Sequence, residues 1–385
     1  MPVKPFCREN PDRAIYINSV IDQNLVNRLT PQILQLRKQS KEPITVYIDS
    51  EGGWPSLAET LLGLLQAPDA DGNVCPIVTV ATGLAASAAA DLLASGDYVI
   101  AYPHATIHFH GTRRQGESMT MESAETTARL LRASNELAAM DLAANISSRS
   151  IFIYSTLEGM FQGFRKDRPS LTNVECFSHA LWFKLSSQID SIAKQALTQY
   201  LEVQKLSDQV FAKVKIDKNV AKTERLILKA IIDYEYKRGT KKSSRWSFTD
   251  DNVSRIVEDF RLIKDFHTGT HTKTLKPLCE KFGEFFLNPE DATVFKGMKF
   301  ANGDERVKWL QEKSEPNLQP LWYFIVSICR LLQRRENRLT ARDSYWLGIV
   351  NEVVGSKLRN LRQIWEYDEP STTASATPTS PTQPS

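Results

Sequence analysis

The chain has 385 residues, enough for two or three domains at about 100–200 residues each. Hydrophobic residues make up 42% and charged residues 24%, which excludes wholesale disorder and any collagen-like or coiled-coil reading of the whole. The 48 Lys and Arg against 45 Asp and Glu leave a formal net charge of +3, too close to balance to call for a global nucleic-acid or membrane partner.

The opening MPVKPFCRENPDR carries no apolar run and no small-residue cleavage site, so no secretory signal is expected. Ala14 to Asn18 (AIYIN) reads as a strand. Asp22 to Ser40 reads as a helix with Asp22 as N-cap, from the spacing of Leu25, Leu29, Ile33, Leu34 and Leu36. The β-branched run Ile44 to Ile48 follows, ending at Asp49-Ser50-Glu51-Gly52-Gly53, and then a helix with Leu57, Leu61, Leu62 and Leu65. Next come a strand over Ile77 to Val80, a small-residue helix from about Ala86 to Ala94, and strands over Tyr98 to Tyr102 and Thr106 to His110. A long helix from about Glu122 to Ile146 closes this series. Repeated strand–helix units predict an α/β fold with helices laid on a parallel sheet.

From about Ser150 to Pro320 the pattern becomes helical. Leu181, Leu185, Ile189, Ile192 and Ala196 predict one amphipathic helix over Phe177 to Gln204, with further helices over Leu226 to Tyr236 and Val253 to Ile263. Lys237 to Arg245 (KRGTKKSSR) reads as a solvated basic loop, and without an aromatic platform beside it nucleic acid is not expected. The apolar run Leu321 to Leu332 is about half a membrane span and reads as a buried helix. Thr340 and Asp343 have capping-box spacing, and Ile349 to Val354 reads as a final strand. The Ser/Thr/Pro/Ala tail lacks the apolar residues to offset ordering entropy, so disorder is expected there. Five dispersed cysteines without a C-x-x-C pair point away from a disulfide framework and toward a reducing, cytoplasmic setting.

Three features carry chemistry. Gly52-Gly53 directly after a strand lets backbone N–H groups approach a ligand, as an oxyanion hole requires; taken alone it reads first as a plain strand-to-helix turn. Ser87 lies in Gly83-Leu84-Ala85-Ala86-Ser87-Ala88 at a helix mouth, where free N–H groups support developing negative charge; taken alone it reads first as a serine near the N-cap of a tightly packed helix. His104, His108 and His110 fall within seven residues, with His108 and His110 on one face of a strand. An imidazole suits a general base, whereas no neighbouring carboxylate or cysteine completes a ligand set, so a metal is not expected.

In this order, the parts resemble the proteolytic subunit of the Clp protease family. That family has a Ser-Pro-Gly-Gly turn after a strand, a Gly-x-Ala-Ser-type nucleophile turn, and a Pro-led strand with the catalytic His seven residues after the proline. Counting from Pro103 gives His110. The family's acid precedes a Leu-Ser-Ala helix start by three residues, which here points to Glu336 before Leu339-Thr340-Ala341. The resemblance covers roughly residues 12–150 and 321–355. It implies a ClpP/crotonase-like spiral of repeated β-β-α units and divides the chain into a core over 1–150, a mostly α-helical insertion over 151–320, a completing segment over 321–358 and a disordered tail over 359–385. It further implies a Ser87–His110–Glu336 serine endopeptidase acting on polypeptides, with Gly53 and Ala88 amides as oxyanion hole and no cofactor. A homo-oligomer fed by a separate AAA+ unfoldase is implied too, since the sequence has no P-loop motif of its own. Departures from the pattern are Glu51 for the family's proline, Trp54 after Gly-Gly, Ala89 for a glycine, Gly111-Thr112 for Gln-Pro, and Glu for Asp as the acid. The rival expectations are an acyl-CoA enzyme of crotonase type, which needs no Ser–His pair, and a non-catalytic scaffold whose insertion binds a partner.

Overall fold

The computed structural model describes residues 9–69, 71–113, 120–201, 271–334 and 336–359. Strand β1 (Ala14–Ile17) buries Ile15 and Ile17 and turns Tyr16 to solvent, the period-two alternation of a sheet with one covered face. Asp22 caps α1 (Gln23–Gln39) by accepting the Leu25 N–H at 2.8 Å, and Leu25, Val26, Leu29 and Ile33 form its buried stripe. Strand β2 (Ile44–Ser50), α2 (Pro55–Gln66), β3 (Ile77–Ala86), α3 (Ala88–Ala94), β4 (Tyr98–Ala101) and β5 (Thr106–Phe109) continue the series.

Among the described residues seven strands form one sheet, ordered β1-β2-β3-β4-β7, with β5 paired to β3 and β6 to β5. Every pair is parallel except β5–β6. Strand β3 serves two neighbours in turn. Val78 to Ala81 pair with β4, and Leu84 to Ala86 pair with β5, so the sheet divides where β3 passes Gly83. The Asp49 carboxylate accepts the Leu84 N–H at 2.8 Å at that point. The strand therefore runs well beyond the expected Val80.

Helix α4 (Met121–Thr156) is longer than expected at its C-terminus. Buried Arg149 fixes that extension, donating to the carbonyls of Ala94 (2.7 Å), Gly96 (3.3 Å) and Gly348 (2.8 Å). Burial pulls its guanidinium down to about 10, opposed by the charge of Asp97. Helices α5 (Glu158–Asp167), α6 (Asn173–Lys184), α7 (191–201), α8 (His271–Phe282), α9 (Pro289–Gly297) and α10 (Gly303–Arg334) follow. The expected single helix over 177–204 is instead two. The chain breaks at residues 185–190, where the Ser186 N–H donates to Asp343 at 2.8 Å and its hydroxyl to the same carboxylate at 3.0 Å. A tertiary acceptor thus replaces the helical i−4 carbonyl.

Helix α10 lies along α4, where Arg330 pairs with Glu136 at 2.7 Å and Arg334 pairs with the same carboxylate. Its residues Leu321 to Leu332 belong to one buried cluster shared with the sheet, α4 and α6, so these helices and the sheet have a common core. Strand β6 (Asn337–Thr340), α11 (Ala341–Trp346) and β7 (Glu352–Val353) complete the fold. Thr340 caps α11 by accepting the Asp343 N–H at 3.1 Å, as its spacing implied. The last strand is shorter than expected because the Ile349 and Val350 amides both turn to the Ser344 carbonyl. The helices expected at 226–236 and 253–263, the basic loop and the tail from residue 360 lie outside the described residues. Among the described residues Cys75, Cys176, Cys279 and Cys329 are free and buried, no helix is long and apolar enough to cross a membrane, and no cluster of three or more metal-ligating side chains occurs.

Candidate active site

Ser87 occupies the residue between β3 and α3. Its backbone adopts φ 55° and ψ −130°, and among the described residues no other non-glycine has positive φ. Such a conformation costs a substituted residue about 1–3 kcal/mol and persists only where surrounding contacts impose it. Those contacts are identifiable. The Ser87 N–H donates to the His108 carbonyl at 2.8 Å, extending the β3–β5 ladder, while its own carbonyl accepts the Ala90 N–H at 2.8 Å and starts α3. The strand ladder holds one side of the residue and the helix the other. Although Ser87 stands at the N-cap, its hydroxyl makes no capping bond.

The Gly52-Gly53 turn closes over this elbow. A Cβ on Gly52 would lie 2.8 Å from the Ser87 Cβ and 3.1 Å from the Ala88 nitrogen, and Gly52 also has φ +94°. Only glycine tolerates both the approach and the torsion. Gly53 bridges to Ile21, whose carbonyl accepts the Trp54 N–H at 3.0 Å, so the turn is tied to the segment after β1. Ala88 is the first residue of α3, and its amide has no acceptor within the helix.

His108 lies on β5, His110 directly follows the strand's end, and His104 lies in the turn before it. Ile107 and Phe109 are buried; His108 and His110 share the other face, ring centroids 5.5 Å apart. Strand β6 runs antiparallel to β5 with Phe109 opposite Asn337 and His108 opposite Arg338. Continuing that register by one residue sets Glu336 opposite His110. The two lie 226 residues apart in the sequence, and it is the β5–β6 pairing that brings them together.

The side chains do not follow the direct pairing. Glu336 reaches diagonally to His108, Oε2 to Nε2 3.0 Å, and its other oxygen accepts from Arg113. The His110 Nδ1 lies 2.8 Å from the Gly111 carbonyl. Desolvation pushes the Glu336 carboxyl up, but Arg113 and the two histidines outweigh it and hold the group below the usual carboxylate range. Burial lowers His108, reinforced by His110 and Arg338 and opposed by Glu336.

The turn after His110 is anchored to both long helices. Thr112 N–H donates to the Asn135 side chain of α4 at 2.7 Å. A Cβ at Gly111 would meet the Gln333 carbonyl of α10 at 2.7 Å. The close passage of α10 accounts for glycine at this departure from the family pattern. Gln333 also donates to Asp91 of α3 at 2.9 Å. Sequence reading missed Arg113, Gln333 and Asp91, since none carries a local pattern signal and each acquires its contact only through tertiary packing. It noted His108 only as the same-face neighbour of His110.

A model of the Clp protease family matches residues 5–151, a span that includes Ser87 and His110 and excludes Glu336. Over 128 residues the chain is 32% identical to ATP-dependent Clp protease proteolytic subunit 3 of Synechococcus sp. (strain CC9605), covering 31% of this chain and 62% of that protein. It is 37% identical over 103 residues to ATP-dependent Clp protease proteolytic subunit 1 of Mycobacterium leprae (strain TN), covering 26% and 48%. With ATP-dependent Clp protease proteolytic subunit 2 of Bacillus licheniformis it shares 37% over 92 residues, covering 24% and 46%. The chain thus spans about half to three fifths of the length of these curated relatives. Strands β1 to β5 and the strained Ser87 elbow thus lie within the span that matches the Clp protease family.

Proposed function

We propose that this protein is a serine endopeptidase that hydrolyses polypeptides with Ser87 as nucleophile. The observation that carries the reading is the positive-φ backbone of Ser87 between β3 and α3. A serine forced into that conformation, with its hydroxyl free of capping duty, matches the strained strand-to-helix elbow that presents a nucleophile. An unactivated hydroxyl attacks poorly near neutral pH, so a base is required. His110 fills that role. A carbonyl can only accept, so the nitrogen facing Gly111 carries the proton and Nε2 keeps its lone pair for the Ser87 proton.

Ser87 Oγ attacks the scissile carbonyl as His110 Nε2 takes its proton. The Gly53 and Ala88 amides receive the oxyanion, and the N-terminal end of α3 adds positive potential. His110 then protonates the leaving amine, and water repeats the sequence on the acyl-enzyme. Glu336 supplies the negative charge that steadies the imidazolium. Relatives named as proteolytic subunits of an ATP-dependent protease support a chain that works in an assembly with a separate ATPase; we take that assembly to be a cytoplasmic homo-oligomer and the ATPase to be an unfoldase.

The test is fluorophosphonate labelling together with peptide cleavage. Wild type should label at Ser87, and Ser87→Ala and His110→Ala should each lower cleavage by at least about 1,000-fold. Cleavage by Ser87→Ala at the wild-type rate would overturn the proposal.

A further inference from the structure

Glu336 has two carboxylate oxygens, and neither goes to His110. One faces His108 Nε2 at 3.0 Å and the other accepts from Arg113. His110 is oriented instead by the Gly111 carbonyl at 2.8 Å. The two imidazoles stand 5.5 Å apart with their planes inclined by 58°. His108 is shielded, its side chain 14% exposed, whereas Glu336 is 59% exposed. A free carboxylate on an exposed side chain samples many rotamers, and a hydrogen bond to a shielded ring restricts it.

We propose that His108 is a positioning residue that stands between Glu336 and the base, so that the acid acts on His110 through the 108 ring and not by direct contact. The inference rests on the hydrolase reading above. A neutral His108 donates its Nε2–H to Glu336, and the pair carries one negative charge beside His110. That charge stabilises the imidazolium formed when His110 takes the Ser87 proton. Were His108 itself protonated, two imidazoliums would face each other across 5.5 Å, and the pair would carry no net charge to help. Burial holds the His108 pKa down, in the direction that keeps the ring neutral. Among the described residues the charged groups acting on His108 are Glu336 and Arg338 from the β6 side and His110 just past the end of β5. Asp91 of α3 and Asp343 of α11, the helices packed on β5, are engaged by Gln333 and by Ser186.

A double-mutant cycle in peptide cleavage separates this from a direct Glu336–His110 contact. Glu336→Ala should lower kcat/KM by about tenfold or more in wild type and by less than about twofold in a His108→Ala background. His108→Gln, which still donates to Glu336, should restore most of the activity lost in His108→Ala. An equal Glu336→Ala cost in both backgrounds, or no rescue by Gln, overturns the inference. A second readout needs no turnover: histidine NMR titration of the Ser87→Ala protein with and without Glu336→Gln. His108 should titrate at lower pH once Glu336 is neutral, and an unmoved His108 overturns the pairing. Loss of Ser87 labelling in wild type would sink the hydrolase reading alone, and the NMR arm would still decide the pairing.

Discussion

Replacing Asp91 with Asn should stabilise the protein at pH 8 and do so far less at pH 5. Asp91 lies one turn into α3 from Ser87, and its carboxyl is held by the Gln333 side chain at 2.9 Å. The residue keeps some exposed surface, yet the carboxyl itself is enclosed. Desolvation lifts its pKa from 3.8 to about 7; the Gln333 bond opposes the shift and Asp141 adds to it. The folded state therefore holds this proton more tightly than the unfolded state, so stability falls as pH rises from the unfolded value through the folded one. At about 1.36 kcal/mol per unit, the full cost above pH 7 is about 4 kcal/mol, and residual solvent access reduces it to about 2–4 kcal/mol. At pH 5 only the first part of that window has been crossed, so less than half of the cost applies. Asn keeps an acceptor for Gln333 and removes the charge. Equilibrium urea unfolding at the two pH values, followed by tryptophan fluorescence, reads the difference. An equal effect of Asp91→Asn at pH 5 and pH 8, or a loss of stability at pH 8, would refute the reasoning.

Gly52→Ala should cost about 1–3 kcal/mol of stability through its positive φ and push the new methyl into the Ser87 elbow, lowering Ser87 acylation by about 100-fold or more while circular dichroism stays unchanged. Wild-type labelling of Gly52→Ala would show that the turn does not press on the nucleophile. Arg149→Met should destabilise by about 3–5 kcal/mol, because it strips three buried carbonyls of their donor and leaves Asp97 without its cation. A loss below about 1 kcal/mol in urea unfolding would mean that water replaces the guanidinium.

Much of the core was readable because its signals are local. The Asp22 cap, the strand over Ala14 to Asn18 and the Thr340 cap depend on residues a few positions apart, where propensity and periodicity act directly. Ser87, the Gly-Gly turn and the histidine strand were likewise visible as short motifs in a fixed order. What the sequence could not contain is the partner of each long-range contact. The break at Ser186 exists because Asp343, distant in sequence, supplies a better acceptor than the preceding turn. The attachment of Glu336 to His108 follows from the diagonal geometry of an antiparallel pair, which a count from Pro103 cannot register. Helix periodicity and strand alternation are written in the chain itself, whereas the facing of side chains across β5 and β6 and between α4 and α10 is settled only when burial brings those elements together.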